Sequence, residues 1–502
     1  MKSKLIIMGL GLLLLASVGK ENIYLSTQPE ITYFKIAYKR HTNYSTEPTP
    51  QYFKTTPDFG RRCTVNISKN ADLLGSIYLY VELPDIITES SSTLPRGIKQ
   101  FAWANKIGLA LINLIELEIG GVTIERHYAD WINIWSELTN KQGVQSGYDK
   151  MIGSTPDLTV LSNGKMGYIL YVPLTFWFCQ ESGLALPLLS LIHNDIKVHV
   201  EFNDISNCYV QAPTNYIQIL ENYTLFKNNE MIVQNINGNM AMGRFIYFDV
   251  INQRVYYSIV KGKFSISSIN NDKKYLVTGS TSNYSVNIVS NSYVVQDEDY
   301  FKYTTPALAN AYLLVTYIYL DNMERVQFLK NKHEYLVPVV DILSNQVVNS
   351  TNVKYKLSFY NPCKLLVWKC ILNSNNQIND FFNYTTKPHT TDSQNLIISH
   401  KLIINSIERM NLYSYEHYTY LPNYEYQFST RQNGVYIYSF GVNPKDFQPA
   451  GTLNFSKITD AYLQLTMNKI ITYQNPALLQ AYSLHYNLLK IEHGIGGLEF
   501  DA

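Results

Sequence analysis

Residues 111–138 read Leu-Ile-Asn-Leu-Ile-Glu-Leu-Glu-Ile-Gly-Gly-Val-Thr-Ile-Glu-Arg-His-Tyr-Ala-Asp-Trp-Ile-Asn-Ile-Trp-Ser-Glu-Leu. The first part alternates as a half-buried strand does, Gly120-Gly121 marks a turn, and a second short strand follows. Tyr128, Trp131, Trp135 and Leu138 then recur at three- and four-residue steps, which places them on one face of an amphipathic helix. An aromatic-faced helix set between strands of a long β chain predicts an elaborated β-sandwich in which the helix is a fixed part of the architecture.

Outward from this stretch, period-two alternation dominates. In Ser76–Leu83 the residues Ile77, Leu79, Val81 and Leu83 face one way and Tyr78, Tyr80 and Glu82 the other. In Asp195–Phe202 the inward set is Ile196, Val198, Val200 and Phe202, opposite Lys197, His199 and Glu201. Further strands are expected at 30–38, 62–68, 112–119, 167–178, 186–193 and 311–320, and a second series at 353–371, 395–408, 434–442, 452–467 and 480–491. Both series contain an Ile-Glu-Arg step (Ile124-Glu125-Arg126 and Ile407-Glu408-Arg409) and an aromatic-rich segment of helical character. Each continues through a strand, a Pro/Gly loop and another strand. The shared order points to internal duplication. Residues 204–306, rich in Asn, Ser and Tyr, fit neither series and read as a long loop insertion with strands of its own. A charged stretch, Asp321–Glu334, marks the junction.

Size and composition agree. At 502 residues the chain exceeds one ordinary core. Its 46% hydrophobic content can fill large interiors, and its 41 tyrosines favour pleated surfaces. A net charge of +1, with no basic run, argues against direct nucleic-acid binding. Cys63, Cys179, Cys208, Cys363 and Cys370 are odd in number and widely spaced, as expected of free thiols packed as small apolar groups. Seven Asn-x-Ser/Thr sequons, at Asn43, Asn66, Asn222, Asn283, Asn349, Asn383 and Asn454, are about what chance supplies, so they carry no information on glycosylation.

Candidates for chemistry are sparse. His193 and His199, six apart on an expected strand, share a face, yet no third ligand stands nearby. His127 and Asp130 share a helix face without a Cys or Glu to complete a site, which fits helix-start polarity. The acidic run Gln296–Asp299 lacks the ordered oxygen spacing of a calcium loop. Glu492-His-Gly-Ile-Gly-Gly-Leu498 has no Lys-Ser/Thr after its glycines and reads as a turn. No nucleophile elbow is present. No catalytic, cofactor-binding or metal residue is assigned and no enzymatic activity is expected. Met1–Lys4 followed by the apolar run to Ala16 has the anatomy of a secretory signal and is too short to span a bilayer.

Taken in order, several segments resemble one family. They are Pro29–Asn43, Ile119–Tyr128, Gly183–Leu188, Tyr317–Arg325 with His333–Leu336, Tyr438–Phe440 with Gln448–Ser456, and Tyr486–Ile491 with Gly496–Leu498. The chain resembles the major capsid proteins of nucleocytoplasmic large DNA viruses along its whole length apart from the insertion. That resemblance implies an all-β fold of two tandem eight-stranded antiparallel jelly rolls, with short helices and a long loop insertion in the first. The expected division is an arm at 1–24, a first roll at 25–322 with its insertion at about 204–306, a linker at 323–334 and a second roll at 335–502. It also implies a structural role in the virion: homotrimers forming capsomers of six-fold-like outline that tile an icosahedral shell over an inner membrane. Neighbouring capsomers and minor capsid and penton proteins are the implied partners, without direct nucleic-acid binding, and assembly takes place in the host cytoplasm. By the same analogy Leu15–Lys20 belongs to a retained arm running into Asn22–Gln28, although Leu5–Leu15 is more apolar than such arms. A secreted carbohydrate-binding β-sandwich, with its amino-terminal run as a true signal and its tyrosine-rich loops as sugar platforms, is the alternative.

Overall fold

The computed structural model describes residues 10–87, 101–140, 143–162, 164–227, 230–266, 275–293, 306–386, 394–409, 412–429, 433–473 and 475–500. Residues 1–43 form one unit, with short helices at Leu10–Ala16 and Lys20–Ser26. The strand expected at 30–38 is absent: the segment has apolar alternation but no ladder partner among the described residues, and alternation alone does not close backbone hydrogen bonds.

The second unit, from Tyr44 onward, is built of paired sheets. Eight strands come first: β1 (Tyr44–Tyr52), β2 (Arg62–Asn66), β3 (Leu73–Leu83), β4 (Ile112–Ile119), β5 (Val122–Tyr128), β6 (Tyr168–Pro173), β7 (Ile196–Phe202) and β8 (Asn310–Leu320). One sheet runs β1-β8-β3-β6 and the other β2-β7-β4-β5, all antiparallel. Eight more follow: β9 (His333–Ile342), β10 (Asn352–Lys356), β11 (Pro362–Leu372), β12 (Ile397–Ile404), β13 (Ile407–Glu408), β14 (Val435–Ser439), β15 (Ala461–Met467) and β16 (Ala477–Glu492). Their sheets run β9-β16-β11-β14 and β10-β15-β12-β13. Over these sixteen strands the two orders are identical position for position, and each is that of a jelly roll; short strands such as Leu186–Pro187 on β3 and Gln346–Val348 on β16 are added at their margins. The duplication expected from the two sequence series is therefore a duplication of topology.

The alternating residues fill the interiors. Ile77, Leu79 and Val81 of β3 pack with Val198 and Val200 of β7 in the first core, and Leu366, Trp368 and Cys370 of β11 pack with Leu463 and Leu465 of β15 in the second. Several expected strands are shorter or split. The 353–371 run is two strands, β10 and β11, and 186–193 keeps strand geometry only at Leu186–Pro187 before a 3-10 turn. Of these sixteen strands two escape pattern reading altogether, β1 and β9, the first of each roll. Both carry proline (Pro48, Pro50 and Pro338), which counts against a strand when only the sequence is read. Both lie at a sheet edge, where a missing N–H is tolerated.

The helices that connect these strands include α1 (Ala129–Thr139), between β5 and β6; α2 (Asn322–Lys330), between the rolls; and α3 (Tyr415–Tyr426), between β13 and β14. The stretch between β7 and β8 holds a seven-stranded sheet whose central strands are Met231–Ile236, Asn239–Asp249 and Arg254–Lys261. It is packed around Phe226, Ile232, Phe245, Val255 and Tyr257. That cluster shares no residue with the cores of the two rolls.

Candidate functional site

The stretch 111–138 builds the joint between the rolls. Gly120 and Gly121 both have positive φ (60° and 89°), closing the two-residue hairpin between Ile119 and Val122. At Gly120 a Cβ would stand 1.5 Å from the Asn194 side chain, so glycine is required there on two grounds. The hairpin delivers β5 into α1, and nearly all of α1 is buried because it is covered on two sides. Ile132 points into the first roll's core. Trp131, Ile134, Trp135 and Leu138 instead lie on the outer face of the second roll's β9-β16-β11-β14 sheet, against Leu365, Val367, Ile371, Val435, Ile437, Tyr482 and Leu484. The expected face is corrected at one position. Tyr128 ends β5 and is 40% exposed, and Ile134 completes the i, i+3, i+4, i+7 stripe in its place.

This contact explains why β11 is buried along almost its whole length: one face fills its own roll and the other meets α1. The ring of Trp131 lies 5.7 Å from Trp135 and 5.6 Å from Tyr482. Polar groups caught at the seam are paired. Lys369, fully buried on the outer face of β11, forms an ion pair with Asp130 in the first turn of α1, and the Tyr384 hydroxyl donates to the same carboxylate at 3.2 Å. Lys106, just ahead of β4, donates to Asn133 Oδ1 at 2.6 Å and to Glu137 Oε1 at 2.7 Å, both on α1. Asn379 of the second roll donates to the carbonyls of Ser206 and Tyr209 at 2.8 and 2.7 Å. A cavity of about 80 Å³ remains beside Asp130 and Lys369.

The other sequence candidates are structural or separate. His127 is buried, stacked 5.3 Å from Phe176, and burial holds its pKa down at about 4. Its neighbour Glu125 is buried with the Trp177 amide donating at 3.4 Å, and desolvation raises its pKa well above the usual carboxylate range. His193 does not lie on a strand but in the turn before β7, so it does not share a strand face with His199. His199 meets Thr64 and Glu118, each at 2.9 Å. Glu492–Leu498 is a hairpin: His493 and Gly494 turn β16 back into Ile495–Leu498. Its tip clasps the first roll, with the His193 amide donating to the Gly494 carbonyl at 2.9 Å and the Gly496 amide to Asn194 Oδ1 at 3.0 Å. Gln296–Asp299 lies outside the described residues. All five cysteines are free, and burial pushes the thiols of Cys363 and Cys370 up to about 12. Among the described residues no three His, Cys, Asp or Glu side chains gather in a metal-holding group. No helix among them is long and apolar enough to cross a membrane.

What this geometry specializes in is a rigid joint between two like sandwiches, which defines a double jelly-roll protein. The family model described as major capsid protein N-terminus matches residues 32–240, and that described as large eukaryotic DNA virus major capsid protein matches residues 324–497. Probable capsid protein 4 of Acanthamoeba polyphaga mimivirus is 35% identical over 98% of this chain and 99% of its own length. The major capsid protein of Pyramimonas orientalis virus is 29% identical over 98% and 100%. Among solved structures, PBCV-1 VP54 matches 94% of this chain and 100% of its own with a TM-score of 0.63 at 21% identity. The Faustovirus major capsid protein matches 95% and 94% with 0.64 at 13%. The chain belongs to the major capsid proteins of large eukaryotic DNA viruses and is a structural protein of the virion capsid. The whole-length match favours this over the secreted carbohydrate-binding alternative.

Proposed function

We propose that the chain works as a homotrimer: three copies place six rolls in a ring of six-fold-like outline, and these capsomers tile an icosahedral shell over an inner membrane. The observation that carries this reading is the repeated strand order of the two rolls, held at a fixed angle by α1. A duplicated unit arranged with threefold symmetry presents six similar edges, which suits hexagonal tiling. The working division is an arm at 1–24, a first roll at 25–322 carrying the 204–306 insertion, a linker at 323–334 and a second roll at 335–502. The insertion projects from the outer face of the capsomer. Minor capsid and penton proteins complete the shell, the chain has no enzymatic role and does not bind nucleic acid directly, and assembly proceeds in the host cytoplasm. Near-neutral charge supports close packing, because many like-charged copies would repel. Light scattering on the purified protein tests the core of the proposal: a mass of three chains is expected, and a single-chain mass at all workable concentrations would contradict it.

A further inference from the structure

The internal repeat supplies a template for contact between copies, because the second roll carries a helix equivalent to α1 with one face that no described residue covers. Both helices follow the fifth strand of their roll and both carry an acidic residue second in line, Asp130 and Glu416. Counting from their first residues, Ala129 and Tyr415, the core-facing Ile132 corresponds to Tyr418, which is likewise buried in its own roll. The stripe Trp131, Ile134, Trp135 and Leu138 corresponds to His417, Tyr420, Leu421 and Tyr424. In α1 that stripe is buried on the second roll. In α3 it faces outward: Tyr420 is 53%, Leu421 45% and Tyr424 89% exposed, and the exposed ring of Tyr413 extends the face by stacking on His417 at 4.3 Å.

The matching acceptor is the outer face of the first roll's β1-β8-β3-β6 sheet. Across its four strands the register aligns Tyr52, Tyr312, Tyr80 and Tyr171 in one row. The rings touch in sequence: Tyr52–Tyr312 at 5.6 Å, Tyr312–Tyr80 at 4.3 Å and Tyr80–Tyr171 at 5.2 Å. Tyr52 is 66%, Ile169 47% and Tyr171 38% exposed. The strands β3 and β11 are both eleven residues long, so Tyr80 stands where the second roll has Lys369. The ion pair of the internal joint is thus replaced by a bed of rings facing an aromatic helix.

We propose that the α3 stripe of one copy docks on this tyrosine row of a second copy, repeating between chains the α1 contact made within each chain. This rests on the trimer reading and assigns its joint. Helix and sheet are different surfaces, so the contact is head-to-tail, and such contacts close into a ring when the rotation permits. Alternating internal and external joints then bring three chains back to the start.

Tyr424→Glu and Tyr171→Glu test the joint, since both side chains reach solvent in the single chain and a carboxylate pressed against ring faces in the assembled form loses its water without gaining a partner. The measurement is mass by light scattering, with circular dichroism and thermal melting to confirm folding. Unaltered protein at three chain masses with both variants at one chain mass supports the joint. Variants that stay at three chain masses overturn the joint and leave the trimer standing, whereas an unaltered protein of one chain mass overturns both. A second measurement does not depend on variant folding: benzoylphenylalanine at position 424 is irradiated in a mixture of isotopically light and heavy chains. Light–heavy crosslinks to peptides containing Tyr171 or Tyr312 are expected. Crosslinks confined to other surfaces would overturn the assignment.

Discussion

At the residue scale the most informative groups are buried and ionisable. His127 and His400 are held neutral by burial, with pKa values down at about 4 and about 3, and the Trp368 indole N–H donates to His400 Nδ1 at 3.0 Å. Their folded pKa values lie below the unfolded value of 6.5, so the unfolded chain takes up protons first as pH falls. Stability from each imidazole should therefore drop below pH ~6.5, by about 1.4 kcal/mol per unit, until pH reaches its folded value. Glu125 acts in the opposite sense. Its raised pKa costs stability above the unfolded carboxyl value, and that cost shrinks as pH falls. Urea midpoints measured between about pH 7.5 and 5 should fall on acidification. Glu125→Gln should raise the midpoint at the upper end of that range and steepen the fall; a midpoint lowered there would show that the carboxylate is stabilising. None of this is legible in the sequence. Glu125 and His127 look like surface residues in the pattern Ile-Glu-Arg-His, and it takes Phe176 and Trp177, with their neighbours Thr175 and Cys179, brought from some fifty positions away, to cover them.

At the element scale α1 sets the geometry. Trp131→Ala removes a fully packed ring between Trp135 and Tyr482 and should cost about 3–5 kcal/mol in denaturant unfolding. Lys106→Met leaves Glu137 buried without its partner, and a loss of about 3–5 kcal/mol is expected because an uncompensated charge remains. The double variant Lys106→Met/Glu137→Met should recover much of that, and failure to recover would show that Lys106 acts through Asn133 instead. Much of this element is readable in the sequence: the spacing of Trp131, Trp135 and Leu138 gives the helix and its apolar face, and Gly120-Gly121 gives the turn ahead of it. The partner of that face is not readable. Leu365, Val367 and Ile371 alternate with Leu366, Trp368 and Cys370, so β11 is apolar on both sides but for Lys369, and periodicity does not tell what covers the face that turns away from its own core. The edge strands β1 and β9 are hidden by their prolines, which only an edge position tolerates.

At the scale of the whole molecule, two rolls and an insertion each have their own interior. The insertion's cluster around Phe245 contains no tryptophan; all five (Trp103, Trp131, Trp135, Trp177 and Trp368) lie in the rolls. Phe245→Ala should therefore loosen the insertion, at a local cost of about 3–5 kcal/mol, while tryptophan fluorescence stays native and proteolytic cleavage concentrates between residues 204 and 306. A red-shifted tryptophan spectrum would instead mean that the insertion and the rolls unfold as one. The arrangement separates duties: the rolls hold shape through α1, while the loop between β7 and β8 is free to elaborate. Long-range pairing, such as β1 with β8 across more than two hundred residues, should make folding slow. The most direct measurement is electron cryomicroscopy of the purified, unaltered protein. Particles with threefold symmetry that resolve six sandwiches in a ring are expected, with α1 on the seam inside each chain. Single chains, twofold dimers, or a map in which the two sandwiches of one chain separate at α1 would contradict the fused pair of rolls as the building block of the shell.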